Sequence, residues 1–99
     1  MDLGIAGRKA LVLGGNRGIG FGIAQALAHE GADVLIAARD IERLAGAAAD
    51  LRAAATGAVA TARIDLRETA ELPGFAKRIG ESFGPIDILV NNTDRKSVV

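Results

Sequence analysis

Residues 9–20 read KALVLGGNRGIG and join a short apolar run to a cluster of glycines. The run Lys9–Leu13 has the length and composition of a buried β-strand, and it stops at the first glycine. From Gly18 onward the pattern changes. Apolar residues then recur every four positions and share one face of a helix: Ile19, Ile23 and Leu27. Gly31 follows at the position of a helix C-cap, so the stretch predicts a strand, a glycine-rich turn and a helix.

The same alternation continues along the chain. Short apolar runs at residues 34–37, 58–64 and 86–90 predict three further strands. Between them lie two stripes of apolar residues at helical spacing: Ile41, Leu44, Ala48 and Leu51, then Leu72, Phe75, Ile79 and Phe83. Asp40 stands where it would cap the second helix, and Pro73 fits the third helix only in its first turn.

This order of elements, β-α-β-α-β-α-β with short connections, is typical of an α/β fold. Right-handed crossovers between parallel strands place helices on both faces of the sheet. We therefore predict a Rossmann-like, doubly wound parallel sheet of about four strands in the order 3-2-1-4.

The composition excludes several classes of protein. Of the 99 residues, 49% are apolar and the mean hydropathy is +0.26, whereas disordered chains combine low hydrophobicity with high net charge. Twelve basic and 12 acidic residues cancel, which gives no general electrostatic reason to expect nucleic acid or an anionic membrane as a partner. The absence of cysteine excludes disulfides and thiolate metal sites. No apolar run reaches the ~18 residues of a membrane span, and we expect a cytoplasmic protein without a signal peptide.

The glycine-rich turn has the chemistry of a phosphate-binding loop. Glycines let the backbone approach a phosphate closely, and the helix N-terminus beyond them offers N–H groups and a partial positive charge. Gly14, Gly18 and Gly20 fit the tight turn, the close approach and the helix–strand packing, respectively. The alternative is that these glycines serve only the turn. A Walker-type loop is disfavoured, because no Lys-Ser or Lys-Thr pair follows the last glycine.

Arg39 follows the second predicted strand, about twenty residues beyond the glycine-rich turn. In dinucleotide-binding folds an acidic residue near this point hydrogen-bonds the adenosine ribose, whereas an arginine accommodates a 2′-phosphate. The strand ends with Ala38 and Arg39 and offers no acid, although Asp40 is one step further. With Arg17 as a second cation, this pattern favours NADP over NAD as the cofactor. Solvated surface arginines are the alternative.

Polar residues end the third and fourth predicted strands. Asp65 follows the third strand, and Asn91 and Asn92 follow the fourth. Ligands bind outside the carboxyl ends of the strands in an open parallel sheet, so we expect these residues at a ligand site. A helix cap at Asp65 and a simple turn at the asparagines are the alternatives. We expect His29 to be an exposed residue at a helix end, and three glutamates to be exposed helix charges without metal-site spacing: Glu68, Glu71 and Glu81.

Four motifs over residues 7–93 resemble the N-terminal part of the short-chain dehydrogenase/reductase family. The family's Thr-Gly-x-x-x-Gly-x-Gly motif is similar to Leu13–Gly20, and its Asp-Val or Asp-Leu pair is similar to Asp65-Leu66. Its Asn-Asn-Ala-Gly motif is similar to residues 91–93, which follow a matching Asp-Ile-Leu-Val. The resemblance implies that residues 1–93 are the N-terminal part of an NAD(P)-binding Rossmann domain whose sheet is incomplete.

The resemblance also implies a role for each matching residue. The glycine-rich turn would hold the pyrophosphate side of the cofactor through these residues: Gly14, Asn16, Arg17, Gly18, Ile19 and Gly20. Asp65 and Leu66 would flank the adenine. Asn91 and Asn92 would lie by the adenosine ribose and help to order the sheet.

The family is one of oxidoreductases that transfer a hydride between nicotinamide and a carbonyl or alcohol. The resemblance therefore implies a parent protein that is NADP-dependent, acts on a small molecule and forms a homodimer or tetramer. A reductase of 3-oxoacyl groups is a common identity in the family.

Two departures from the family pattern bear on activity. Leu13 replaces the threonine whose hydroxyl normally ties the turn to the Asn-Asn segment. The family's catalytic Ser and Tyr-x-x-x-Lys lie well beyond its Asn-Asn motif, and this chain has no tyrosine. We therefore expect the chain alone to bind cofactor weakly and to be inactive. A non-catalytic, regulatory dinucleotide-binding module is the alternative.

The segment Asp94–Val99 departs from the glycine and the loop that follow the family's Asn-Asn motif. Its sequence is similar to the translation of a sequencing-library adapter, so we expect residues 94–99 to be a non-native tail. A divergent terminus or a frameshift is the alternative.

We also expect the fourth strand to be an apolar edge of the sheet, which predicts marginal stability of the chain.

Overall fold

The computed structural model describes residues 4–14, 18–65 and 72–91. Strands and helices alternate along these residues with the following bounds: β1 Lys9–Leu13, α1 Gly18–His29, β2 Asp33–Ala38, α2 Ile41–Ala54, β3 Val59–Arg63, α3 Leu72–Ser82 and β4 Ile88–Asn91. Every predicted element is confirmed, and the strand boundaries differ from the predicted ones by at most 2 residues. Pro73 lies in the first turn of α3, as expected.

The strands form one parallel sheet in the predicted order β3-β2-β1-β4. The central strand β1 pairs with two neighbours, and its Val12 lies opposite Ile36 of β2 and Val90 of β4. All four strands point the same way, so their C-terminal ends meet along one side of the sheet, the carboxyl edge. The opposite side is the amino edge.

Alternate residues of the central strands enter two hydrophobic cores, one on each face of the sheet. The core under α1 and α2 contains these buried strand residues: Val12, Val34 and Ile36. On the other face, Leu11 and Leu35 pack with Phe75 and Ile79 of α3. Because helices cover both faces, the central strands read as nearly continuous apolar runs, which is typical of parallel sheets.

The buried face of α1 differs from the predicted one. Ile19 is 75% exposed, and Ile23 and Leu27 are only half-buried. The buried residues of this helix lie one position further along: Gly20, Ala24 and Ala28. Small residues let the helix axis approach the sheet closely, and the larger aliphatic side chains then lie at the border of the contact. The four-residue spacing therefore predicted the helix correctly and its buried face wrongly.

The predicted cap ends α1. Gly31 has a φ of 94° and donates its N–H to the carbonyl oxygen of Ala28 at 3.1 Å. The N–H of Ala32 donates to the carbonyl oxygen of Leu27, also at 3.1 Å. These two bonds form a Schellman motif, which requires a left-handed residue and therefore favours glycine.

A charged network that no pattern in the sequence predicted ties the amino edge together. The Asp33 carboxylate accepts hydrogen bonds from Lys9 Nζ at 3.0 Å and from the backbone N–H of Ala58 at 2.9 Å. The Asp87 carboxylate accepts from the backbone N–H of Lys9 at 2.9 Å. These contacts join all four strands at their starts. The N–H of Ala58, followed by the Lys9 ammonium, holds the pKa of the Asp33 carboxyl below its ordinary value.

We predict that Asp33→Asn lowers the free energy of unfolding by about 1–2 kcal/mol at neutral pH, because it removes a charge-assisted contact. The pKa of Asp33 is lower in the folded state than in the unfolded state, so the ionised carboxylate stabilises the fold above the unfolded pKa. That contribution is lost as the pH falls through the folded pKa.

Urea unfolding at about pH 7 and about pH 3 measures both effects. The difference between wild type and variant should be smaller at the lower pH. Asp50→Asn, which removes the same charge from an exposed position of α2, should change stability little at either pH. An Asp33→Asn effect that does not decrease on acidification would show that the carboxylate charge does not hold the amino edge.

The edge strand β4 leaves apolar surface exposed. Leu89 is 63% exposed, whereas Leu11, its partner in register on β1, is 7% exposed. An exposed apolar strand edge is a template for pairing with other chains. A chain of this size also buries a smaller share of its surface than a larger domain does, so its stability has little margin.

We predict that the chain, expressed as residues 1–99, unfolds below about 45 °C and self-associates through β4. Leu89→Lys should reduce the self-association seen by gel filtration and leave the unfolding temperature nearly unchanged, because the side chain is exposed. A monodisperse wild-type chain with a cooperative transition above that temperature would contradict the prediction.

Candidate functional site

The carboxyl edge brings together the residues that follow the strands. In register, Leu13 of β1 lies between Ala37 of β2 and Asn91 of β4, and Ala38 of β2 lies opposite Arg63 of β3. Neighbouring strands are roughly 4.8 Å apart, so the four strand ends fall within about 15 Å of one another. The predicted site positions that meet along this edge are the following: Gly14, Arg39, Asp65 and Asn91.

Two glycines with positive φ bound the turn between β1 and α1. Gly14 has a φ of 77° and donates its N–H to the carbonyl oxygen of Ala37 at 2.7 Å. Gly18, the first residue of α1, has a φ of 62°, and a Cβ placed there would meet nothing within 4 Å. Any other residue type costs about 1–2 kcal/mol in this conformation. The backbone at Gly18 is therefore accessible for close approach by a ligand, while Gly20 is buried in the first turn of α1.

The two helices that begin near this edge, α1 and α2, differ in the acidic side chains near their N-termini. The Asp40 carboxylate caps α2 by accepting from the backbone N–H of Glu42 at 3.0 Å and of Arg43 at 3.2 Å. The first turn of α1 contains no acidic residue. A helix N-terminus attracts anions through its N–H groups and its dipole. The N-terminus of α1 therefore suits a bound phosphate, because no acidic side chain of its first turn repels the anion.

Arg39 is an exposed arginine directly after β2. No hydrogen bond or ion pair engages its side chain within the described part of the chain. Asp40 is its neighbour, but the Asp40 carboxylate caps α2 and pairs with Arg43 Nε at 3.5 Å. The Arg39 guanidinium is thus accessible to an anionic ligand at the carboxyl edge.

Asp65 follows β3 and Asn91 ends β4, so the two residues lie at the two outer strands of the carboxyl edge. The N–H of Ile64 donates to the carbonyl oxygen of Ala38 at 3.0 Å, which holds the chain before Asp65 beside the end of β2. Asp65 is half-buried, and Asn91 is exposed as the last residue of β4. Leu13, in register with Asn91, packs its apolar side chain against the core under α3. This pair therefore lacks the hydroxyl of the family motif.

Two large apolar side chains are exposed where helices begin beside the carboxyl edge. Ile19 in the first turn of α1 is 75% exposed, and Ile41 at the start of α2 is 62% exposed. Ile41 begins the apolar stripe of α2, whose other members are buried: Leu44, Ala48 and Leu51. Ligand sites are lined mostly by apolar side chains with a few polar groups, so these two isoleucines fit the border of such a site.

The remaining predicted positions either lie outside the described residues or stand away from the carboxyl edge. Four proposed cofactor-binding residues lie outside the described residues: Asn16, Arg17, Leu66 and Asn92. Glu68, Glu71 and the segment 94–99 also lie outside them. His29 is exposed at the far end of α1, with Nδ1 3.8 Å from Glu30 Oε2. Glu81 is exposed on α3.

Residues 4–14, 18–65 and 72–91 offer neither a metal-ion cluster nor a membrane-spanning helix. These residues contain no group of His, Cys, Asp and Glu side chains arranged to hold a metal ion. None of their helices is both long enough and apolar enough to cross a membrane.

Comparison with known proteins identifies the family. The sequence profile described as short chain dehydrogenase matches residues 8–98, so the chain belongs to this family. Galactitol 2-dehydrogenase of Agrobacterium fabrum is 49% identical over 86 residues, which are 86% of this chain and 32% of the relative. The rhamnolipid-biosynthesis 3-oxoacyl-[acyl-carrier-protein] reductase of Pseudomonas aeruginosa is 47% identical over 88 residues, 89% of this chain and 34% of the relative.

Solved structures share the fold. L-sorbose reductase from Gluconobacter frateurii, complexed with NADPH and L-sorbose, matches with a TM-score of 0.88 at 36% identity, over 98% of this chain and 37% of that one. The RhlG/NADP active-site complex from Pseudomonas aeruginosa matches with a TM-score of 0.83 at 45% identity, over 95% of this chain and 36% of that one. The chain therefore spans about a third of the length of these relatives.

We predict opposite effects on stability for two glycine substitutions in α1. Gly18→Ala should lower the free energy of unfolding by about 1 kcal/mol, because it forces alanine into the left-handed region. Gly22→Ala should raise it by about 0.5–1 kcal/mol, because alanine favours the helix interior. A Cβ at either position meets nothing within 4 Å, so only the backbone conformation differs. Urea unfolding measures the change in the free energy of unfolding for both variants. Changes of the same sign would contradict the positive φ at Gly18.

Proposed function

We propose that residues 1–93 form the cofactor-binding part of an NADP-dependent oxidoreductase, which transfers a hydride between nicotinamide and a carbonyl or alcohol. The observation that carries this proposal is the exposed Arg39 guanidinium, which has no ion-pair partner within the described residues. It follows Ala38, at a position where an acidic residue would repel a 2′-phosphate. Two solved relatives are complexes with NADPH or NADP, and this similarity supports the proposal.

The described residues fit a dinucleotide phosphate. The accessible backbone at Gly18 and the N-terminus of α1 suit the pyrophosphate, and Arg39 suits a charge-assisted contact with the 2′-phosphate. By family resemblance, other residues of the turn would complete the pyrophosphate site: Gly14, Asn16, Arg17, Ile19 and Gly20. Residues after β3 and at the end of β4 would hold the adenine and its ribose: Asp65, Leu66, Asn91 and Asn92. When bound, the nicotinamide supplies the hydride chemistry.

The proposed catalytic step needs residues beyond this chain. The 99 residues include no tyrosine, and the tyrosine of the family's Tyr-x-x-x-Lys is its general acid and base. The chain alone would therefore bind NADP weakly and turn over no substrate. The whole protein would act as a homodimer or tetramer on a small carbonyl or alcohol. A 3-oxoacyl group is the substrate class suggested by the Pseudomonas aeruginosa relative.

The lack of tyrosine also favours a second candidate, a non-catalytic dinucleotide-binding module. Sequencing the intact locus distinguishes the two. A reading frame that continues past Thr93 into a Ser and a Tyr-x-x-x-Lys supports the oxidoreductase and marks residues 94–99 as non-native. A native stop codon after Val99 supports the module.

We predict that Arg39→Ala weakens NADPH binding by roughly ten- to a hundredfold, since a hydrogen bond to a charged group is worth about 1.5–3 kcal/mol. NADH, which lacks the 2′-phosphate, should lose much less affinity. Arg8→Ala is a matched control, because Arg8 is an exposed arginine at the amino edge. Fluorescence titration of the wild type and both variants with each cofactor measures the six affinities, and circular dichroism checks that each variant is folded. Equal losses for NADPH and NADH would show that Arg39 does not recognise the phosphate.

A further inference from the structure

A groove runs along the outer strand β3, on the face of the sheet that α3 covers. Its volume is about 660 Å³. Its floor includes Ala60 and Ala62 of β3, and one of its walls is formed by three apolar side chains of α3: Phe75, Ile79 and Phe83. Alanine is a poor strand former, but its short side chain leaves the space between strand and helix unfilled. The groove follows β3, the outer strand at one end of the strand order, and β4 is the outer strand at the other end.

The free backbone groups of β3 lie along this groove. The carbonyl oxygen of Ala58 accepts from the N–H of Val34 on β2, and the N–H of Ile64 donates to Ala38 of β2. In a parallel ladder the backbone groups of alternate residues point to the same side. Even-numbered residues of this strand therefore face β2, and the backbone groups of its odd-numbered residues face outward: Val59, Thr61 and Arg63.

One end of this outer edge is already occupied. Arg52 of α2 donates from a guanidinium N–H to the carbonyl oxygen of Val59 at 3.1 Å. Within the described residues, the outward N–H and C=O groups of Thr61 and Arg63 have no hydrogen-bond partner and are available to an added strand. An extended peptide can pair with such an edge through its main chain while its side chains enter an adjacent groove.

The charges along the groove have a direction. Arg78 of α3 lines the groove, and its guanidinium lies 3.5 Å from the position of a Cβ at Gly74, one helical turn nearer the start of α3. Because α3 connects the end of β3 to the start of β4, it begins at the carboxyl edge, and Glu81 lies nearer the amino edge. The groove is therefore basic toward one end and acidic toward the other.

We propose that this groove binds the extended C-terminal segment of a partner protein, added as a strand parallel to β3. Apolar side chains of the segment would lie beside Ala60 and Ala62, and its terminal carboxylate would lie by Arg78. An antiparallel segment would place that carboxylate beside Glu81, which disfavours it. Peptide binding in this groove would need no nucleotide, and it goes beyond the proposed oxidoreductase function.

The direct test is fluorescence polarisation with a labelled pentapeptide, Thr-Val-Thr-Val-Val, that has a free C-terminal carboxylate. The same peptide with a C-terminal amide is its matched control. We expect saturable binding of the acid and at least about tenfold weaker binding of the amide, because a charge-assisted contact is lost. Equal affinities, or no saturable binding of the acid at about millimolar peptide, would overturn the proposal.

Variants of the chain test the placement. Thr61→Pro removes an outward N–H of β3 without breaking the ladder to β2, so it should abolish peptide binding and preserve the circular dichroism spectrum. Arg78→Gln should weaken binding of the acid about fivefold to tenfold and of the amide little. Arg8→Gln, outside the groove, should change neither affinity.

Two results from these variants would overturn the proposal. One is binding by a folded Thr61→Pro chain with the affinity of the wild type. The other is a concentration-dependent self-association that Thr61→Pro removes while the peptide does not compete, since the edge would then pair with a second copy of the chain.

Discussion

Strand β1 pairs with β2 on one side and with β4 on the other, and this pairing fixes the start of the glycine-rich turn against the neighbouring strand ends. The ladder places Leu13 in register with Ala37 of β2 and with Asn91 of β4. It also continues one step beyond β1, where the N–H of Gly14 donates to Ala37. The start of the glycine-rich turn is thereby fixed against the end of β2, which carries Arg39. A shift of one residue in this register would exchange the two faces of β1 and separate the two phosphate-binding features.

The two edges of the sheet have different charge arrangements. At the amino edge, the Lys9 ammonium pairs with the Asp33 carboxylate, and the Asp87 carboxylate accepts from the backbone N–H of Lys9. At the carboxyl edge, Asp40 is committed to the cap of α2 and to Arg43, and Arg39 is left without a carboxylate partner within the described residues. The Lys9–Asp33 ion pair thus lies at one edge, and the positive charge that suits a phosphate is exposed at the other. This separation agrees with the general position of ligand sites in open parallel sheets.

Local patterns in the sequence predicted the elements, their order and most helix ends, because spacing, Gly31 and Asp40 act within a few residues. The long-range features were not predictable in this way. The network of Lys9, Asp33 and Asp87 joins residues 78 positions apart in one of its bonds, and no local pattern encodes it. The buried face of α1 was mispredicted, because close approach to the sheet selects alanine and glycine over isoleucine. At the site, register explains why Gly14, Arg39, Asp65 and Asn91 converge, whereas their roles toward a cofactor rest on the family resemblance.

We propose that the carboxyl edge binds NADP and that Arg39 contacts its 2′-phosphate. The most direct measurement is a titration of the ¹⁵N-labelled chain with NADP and with NAD, followed by amide and arginine side-chain NMR signals. We expect shifts at the amides of Gly14, Gly18 and Asn91 with both nucleotides, and a shift of the Arg39 side-chain signal with NADP alone. The amides of Lys9 and Asp33 at the amino edge should not move. Shifts confined to the amino edge, or an Arg39 signal that responds equally to both nucleotides, would contradict this proposal.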